Sequence, residues 1–134
     1  MPDNVELVRQ AIGVLNAREL HRIPEFIAAD MQRHDLVGAY PAVEGSSGVA
    51  DFLGELLRGA PDLRLEIQDI FGAGDRVTMR FKVEGTHEGL LFGAPGTGRR
   101  FSANAINIYR IVDGKLAETW QLLDLAGFLR QVQS

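Results

Sequence analysis

The spacing of apolar residues along the chain changes once, from a helical period to a period of two. Behind Asp3 and Asn4, Val5, Val8, Ala11, Ile12 and Leu15 recur at three- and four-residue steps. Either polar residue can accept from the first free N–H groups of a helix, so the pattern predicts an amphipathic N-terminal helix. Ile23 to Ala29 predicts a second short helix, with Pro24 in a first turn that needs no N–H. An extended piece follows from about Met31 to Leu36. The loop Gly38-Ala39-Tyr40-Pro41 then leads to Ser46 and Ser47, candidate caps for a helix carrying Val49, Phe52, Leu53, Leu56 and Leu57, which Gly59 and Pro61 end.

From there the period is two. Leu63, Leu65 and Ile67 alternate with polar residues, as do Val77, Met79, Phe81 and Val83 with Thr78, Arg80, Lys82 and Glu84. Ala73-Gly74-Asp75 and Val112-Asp113-Gly114-Lys115 have the composition of hairpin turns. A Gly/Pro-rich stretch from Gly89 to Arg100 separates the two hairpins, and a helix from about Ala126 to Val132 can be capped by Asp124. Helices followed by a run of antiparallel strands predict one α+β domain over residues 1–134, with N-terminal helices covering the concave face of a curved antiparallel sheet. Such a face can enclose a pocket.

Composition narrows the chemistry. The 14 basic and 18 acidic residues give a net charge of -4 with scattered cations, which argues against a nucleic-acid partner. The absence of cysteine removes thiolate nucleophiles, disulfides and Cys-based metal sites. The first residues have no basic and apolar leader and no long uncharged apolar run occurs, so the expectation is a cytoplasmic protein with no membrane partner. His21, His34 and His87 lack the close spacing of zinc ligands, and no metal is expected. Gly93-Ala94-Pro95-Gly96-Thr97-Gly98 lacks the lysine of a phosphate loop and reads as a hairpin loop or pocket lid. No cofactor is expected.

Several segments in order carry a resemblance: Gln32-Arg33-His34-Asp35, Pro61-Asp62-Leu63, Gly74-Asp75-Arg76-Val77, and Gly85-Thr86-His87-Glu88-Gly89 with Phe92-Gly93. The ending adds Ile108-Tyr109-Arg110-Ile111, Asp113-Gly114-Lys115-Leu116, Glu118, Trp120, Asp124 and Gln131. Over roughly residues 30 to 131 the chain resembles the SnoaL-like polyketide cyclases, cone-shaped α+β proteins of the nuclear-transport-factor-2-like superfamily. The resemblance implies a cofactor-free cyclase or isomerase that works by acid/base chemistry on a small hydrophobic carbonyl metabolite. It also implies a homodimer joined through the outer sheet face. A non-catalytic cone that binds a small molecule or merely dimerises is the alternative.

In the cyclases an aspartate on the last strand transfers the proton and a histidine nearby holds the enolate oxygen. The resemblance places those roles at Gln121 and Asn107, and alternation sends Asn107, Tyr109, Thr119 and Gln121 to one face. Amides do not exchange protons usefully near neutral pH, though their NH2 groups can hold an oxyanion. His34, where the family often carries a histidine, is then the first candidate base, or else a rim histidine bonded to backbone or to a carboxylate. Asp124 is the second candidate, although capping the terminal helix would account for it. Tyr40, Met79, Phe81, Tyr109 and Thr119 are the candidate substrate contacts. Trp120 is expected on the face opposite Gln121, His87 in an exposed turn, and His21 without a role.

Overall fold

The computed structural model describes residues 3–38 and 43–133. Helix α1 runs Asn4–Asn16, and Asp3 caps it by accepting from the Glu6 N–H at 2.7 Å. The second expected helix forms only in part: a 3-10 helix covers Leu20–Glu25 and contains Pro24, while Ile27 already opens strand β1, Ile27–Asp35. Pairing decides this boundary, because the Leu116 N–H donates to the Phe26 carbonyl and Ile27 stands beside Leu116 in the sheet. Tertiary hydrogen bonds outweigh the helical propensity of Ala28 and Ala29.

Strand β2, Val43–Glu44, leads directly into α2, Gly45–Gly59. Ser46 and Ser47 therefore lie inside the first turn instead of capping it, and Glu44 at the cap position makes no side-chain cap bond. Gly45 sets the entry. Its φ is +72°, and a Cβ there would run into the Ala29 carbonyl oxygen, so only glycine suits the position. The strands β3 (Arg64–Ala73), β4 (Arg76–Thr86), β5 (Arg100–Val112) and β6 (Lys115–Leu123) follow, and α3 (Leu125–Val132) ends the order. Asp113 and Gly114 both have positive φ, at 52° and 74°, as the β5–β6 hairpin turn requires.

The six strands form one curved sheet in the order β2-β1-β6-β5-β4-β3. Every neighbouring pair is antiparallel except β1 and β6, which run parallel, so the sheet is mixed where alternation alone predicts an antiparallel one. These two strands lie some 80 residues apart by their numbers, and no hairpin constrains their relative direction. Burial alternates without a break along β5: Phe101, Ala103, Ala105, Asn107, Tyr109 and Ile111 face the core, and the residues between them face outward. Residues of α1 and α2 complete that core from the concave side, while Phe128 and Val132 of α3 pack at the β5 end. Among the described residues no helix is long and apolar enough to cross a membrane.

Candidate active site

Between the sheet and the helices lies a cavity of about 120 Å³. Its walls are mostly aliphatic and aromatic, with Ala11, Leu15, Ile23, Phe52, Phe81 and Val83 among them. The polar groups sit together on the floor, because the strand registers bring them into two adjacent rows. In one row Arg33 of β1 stands beside Thr119 of β6, which pairs with Tyr109 of β5; in the next, Asp35 stands beside Gln121, which pairs with Asn107. Asn107, Tyr109, Thr119 and Gln121 thus share the inward face, as alternation predicts, and all four line the cavity.

Hydrogen bonds define what each group can offer. The Arg33 guanidinium donates to Gln121 Oε1 and lies 4.3 Å from the Phe52 ring centroid. A guanidinium has no acceptor, so it fixes the oxygen end of the Gln121 amide and directs the NH2 end elsewhere. Asn107 Nδ2 donates to the Tyr109 hydroxyl at 2.8 Å, while Asn107 Oδ1 is buried without a partner among the described residues. Turning the amide over exchanges the roles of phenol and amide but still leaves one polar atom unpartnered. Burial pushes the Tyr109 hydroxyl pKa up to about 12, against the opposing pull of the Asn107 hydrogen bond and the Arg33 charge. Tyr109 is therefore a neutral hydrogen-bonding group, not a base.

The two expected bases lie elsewhere. On β1, Met31 and Arg33 line the cavity, so His34 between Arg33 and Asp35 faces outward. There its Nε2 meets Glu118 Oε2 at 2.7 Å and its ring stacks on Trp120 at 5.5 Å, with Arg76 over the other aromatic system at 5.0 Å. The hydrogen bond from His34, with Arg110 beside it, holds the Glu118 carboxyl below its usual range. Asp124 caps α3, its Oδ1 accepting from the Gly127 N–H at 2.9 Å, and does not reach the cavity. Of the expected substrate contacts Phe81, Tyr109 and Thr119 line the cavity; Met79 is inward but wholly enclosed in the core. Tyr40 lies outside the described residues.

Two further placements differ from expectation. His87, expected in an exposed turn, is fully buried: Nδ1 meets Thr97 Oγ1 at 3.1 Å and Nε2 meets the Ala94 carbonyl at 2.9 Å. It pins the 87–99 loop, whose Phe92 packs edge-on against Phe128 at 5.2 Å and closes one side of the cavity. The second is Arg33. The segment Gln32-Arg33-His34-Asp35 suggests no role for it, yet it is the one charged residue among the described cavity-lining residues. Alternation from Met31 is the signal that finds it, since residues 31, 33 and 35 share a face. Asp35 follows Arg33 on that face, with a carboxylate 8% exposed and 4.0 Å from Arg33 Nη1. Among the described residues no three His, Asp or Glu side chains gather closely enough to hold a metal ion.

A family model for the SnoaL-like polyketide cyclases matches residues 5–132. The chain belongs to that family. It is 29% identical over 133 residues to the aklanonic acid methyl ester cyclase DnrD of Streptomyces peucetius, covering 98% of this chain and 92% of the relative. It is 39% identical over 71 residues to the nogalonic acid methyl ester cyclase of Streptomyces nogalater, covering 53% of each. Among solved structures, IdmH of Streptomyces antibioticus superposes with a TM-score of 0.84 at 27% identity, covering 97% of this chain and 98% of that one.

Proposed function

We propose that this SnoaL-like protein closes a ring in, or isomerises, a small hydrophobic carbonyl compound by cofactor-free acid/base chemistry. The observation that carries this reading is the convergence of Arg33, Gln121 and Asn107, beside Tyr109 and Thr119, on the floor of a cavity whose other walls are apolar. With its oxygen held by Arg33, Gln121 presents NH2 donors polarised by a cation, the kind of group that stabilises a carbonyl oxygen as it becomes an enolate. The proton leaving the substrate carbon needs an acceptor that amides do not provide. Asp35, beside Gln121 on the neighbouring strand, is the carboxylate this reading assigns to that step. In ring closure the enolate carbon forms a bond to a second carbonyl carbon, and the resulting alkoxide recovers the proton.

The cavity is partly open, and its volume of about 120 Å³ compares with the roughly 150 Å³ of a cavity that admits one benzene ring, so it suits the reacting end of a longer molecule. The test is to incubate the protein with aklanonic acid methyl ester and nogalonic acid methyl ester, the compounds in the relatives' names, and with simpler diketones, and to follow ring closure by mass-resolved chromatography. Turnover that Asp35→Asn abolishes while binding persists supports the reading. Binding without turnover across the panel favours the second reading, a cone that only binds, which is motivated by the absence of His and carboxylate side chains from the described cavity lining. We also propose that two copies pair through the outer sheet face, where Ile106, Ile108 and Leu122 are exposed around Trp120. A monomer by light scattering would remove that proposal.

A further inference from the structure

We propose that Asn107 and Tyr109 together form a specificity element that reads a neutral hydroxyl group on the ligand. The cavity then takes hydroxy ketones whose O–H is free in preference to their methyl ethers. The inference rests on the reading that the cavity takes a small carbonyl compound, and it adds a second point of recognition beside that carbonyl. Asn107 and Tyr109 stand two residues apart on the inward face of β5, and both line the cavity. Asn107 is 7% exposed and Tyr109 6%, so neither draws on bulk water for its hydrogen bonds.

The bonding capacity of each group decides what the pair has left to offer. Asn107 Nδ2 donates to the Tyr109 hydroxyl at 2.8 Å. In that arrangement the phenol keeps its own O–H to donate, and Asn107 Oδ1, with no partner among the described residues, is left to accept. With the amide turned over, the phenol donates to Oδ1, the NH2 group is left to donate and the phenol oxygen to accept. Either way the pair offers one donor and one acceptor side by side, and the broad χ2 torsion of asparagine lets the amide swing toward an entering group. Both groups are neutral, since burial pushes the Tyr109 hydroxyl pKa up to about 12. The neighbouring row holds donors for a ligand carbonyl: Arg33 has no acceptor atom, and it holds the Gln121 oxygen while the Gln121 NH2 group remains. A ligand that fills this floor displaces solvent from it and must itself bring the O–H that the acceptor needs. A methyl ether brings none and leaves a buried acceptor unbonded. A site built to bond a hydroxyl rejects the analogue that lacks one.

Titration calorimetry on the whole chain, at a pH where phenols are neutral, tests this with meta- and para-hydroxyacetophenone and their methyl ethers. Acetophenone separates the lost hydrogen bond from the bulk of the ether methyl, and ortho-hydroxyacetophenone carries an O–H already bonded to its own carbonyl. The expected result is that the better of the meta and para phenols binds roughly tenfold more tightly than its ether and than acetophenone. The ortho isomer should gain nothing over acetophenone. The double variant Asn107→Leu/Tyr109→Phe should erase the ratio of phenol to ether, a readout that a purely structural pair would not move. The wild-type comparison decides the hydroxyl preference whether or not that variant folds. Ethers binding as well as phenols would overturn the hydroxyl selection while leaving the carbonyl-binding cavity intact. A preference that survives in the folded double variant would overturn its assignment to this pair. Binding of none of the compounds would overturn both readings.

Discussion

The pair Asn107 and Tyr109 allows the cost of the site to be measured as stability. Asn107 donates one hydrogen bond, to the Tyr109 hydroxyl at 2.8 Å, and its Oδ1 is buried with no partner among the described residues. A buried acceptor left without a donor costs about 1–3 kcal/mol, whereas the hydrogen bond itself contributes about 1 kcal/mol net. Replacing both residues in the double variant Asn107→Leu/Tyr109→Phe removes the orphan, the hydroxyl and the bond together. The difference predicts a protein about as stable as the wild type or up to roughly 2 kcal/mol more stable. For a chain of this size each kcal/mol corresponds to roughly 3–5 °C in Tm. The single variant Asn107→Leu should be less stable than the double, because it leaves the Tyr109 hydroxyl buried with nothing to bond. Urea unfolding at constant slope measures all three proteins, and ligand affinity should fall in both variants. A double variant more than about 1 kcal/mol less stable than the wild type would refute the argument, by showing that Oδ1 is already satisfied in the empty cavity.

Three other perturbations report on separate parts of the molecule. The Tyr109 hydroxyl titrates near pH 10 when unfolded and about 12 when folded, so wild-type stability should decline as pH rises through that interval. Tyr109→Phe should lack this decline, and alkaline unfolding curves compare the two. Glu118 has the opposite sign: its folded value lies below 4.5, so what its ion pairs contribute is present above that pH and lost as the pH falls further. The stability gap between wild type and Glu118→Gln should therefore close in acid, and denaturant midpoints at pH 7 and pH 3 would show it or refute it. His87→Ala removes two ring hydrogen bonds and leaves a void beside Phe128, for an expected loss of about 2–4 kcal/mol by thermal unfolding. An unchanged Tm would mean that the 87–99 loop is held by other contacts.

How far the sequence could be read depended on how far each feature is local. The α1 cap, the two hairpin turns and the alternation of β4 and β5 follow from near neighbours, and each appears where its residues place it. The start of β1 and the entry to α2 depend on pairing with strands remote in sequence, and there helical propensity at Ala28 and the serine caps at 46 and 47 misled. The same division runs through the site. Asn107, Tyr109, Thr119 and Gln121 lie on two strands joined by a hairpin, so their shared face is legible. His34 and Arg33 lie on β1, whose register against β6 no local signal sets, and in a strand one position separates the outer face from the inner. His87 was misplaced for a different reason: a Gly-flanked loop looks exposed until its backbone is seen folding around the ring, with the Thr97 and Gly98 N–H groups donating to the His87 carbonyl.

The register also explains how a cyclase fold can carry amides where its family pattern has ionisable groups. Gln121 and Asn107 occupy the cross-strand positions at the cavity floor, and Asp35 stands next to Gln121 in the same row, one strand spacing of about 5 Å away. In the proposed reaction the proton-accepting role lies one strand aside from Gln121, on Asp35, while the amides remain in the cavity wall. The cost is a buried guanidinium beside it, because a carboxylate only 8% exposed would be strongly disfavoured with no cation near it. Arg33 answers that need and, by turning the Gln121 oxygen toward itself, makes the adjacent amide a donor. Under the proposed mechanism the two functions of an acid/base pair, taking a proton and steadying the oxygen, fall to Asp35 of β1 and Gln121 of the β5–β6 hairpin. That division leads to a specific expectation: Gln121→Asp should not enhance turnover, because a second carboxylate beside Asp35 would compete for Arg33 and remove the donor that holds the enolate oxygen. Measured rates for Gln121→Asp and Asp35→Asn, singly and together, decide it, and a double variant as active as the wild type would show that the proton acceptor had been moved back.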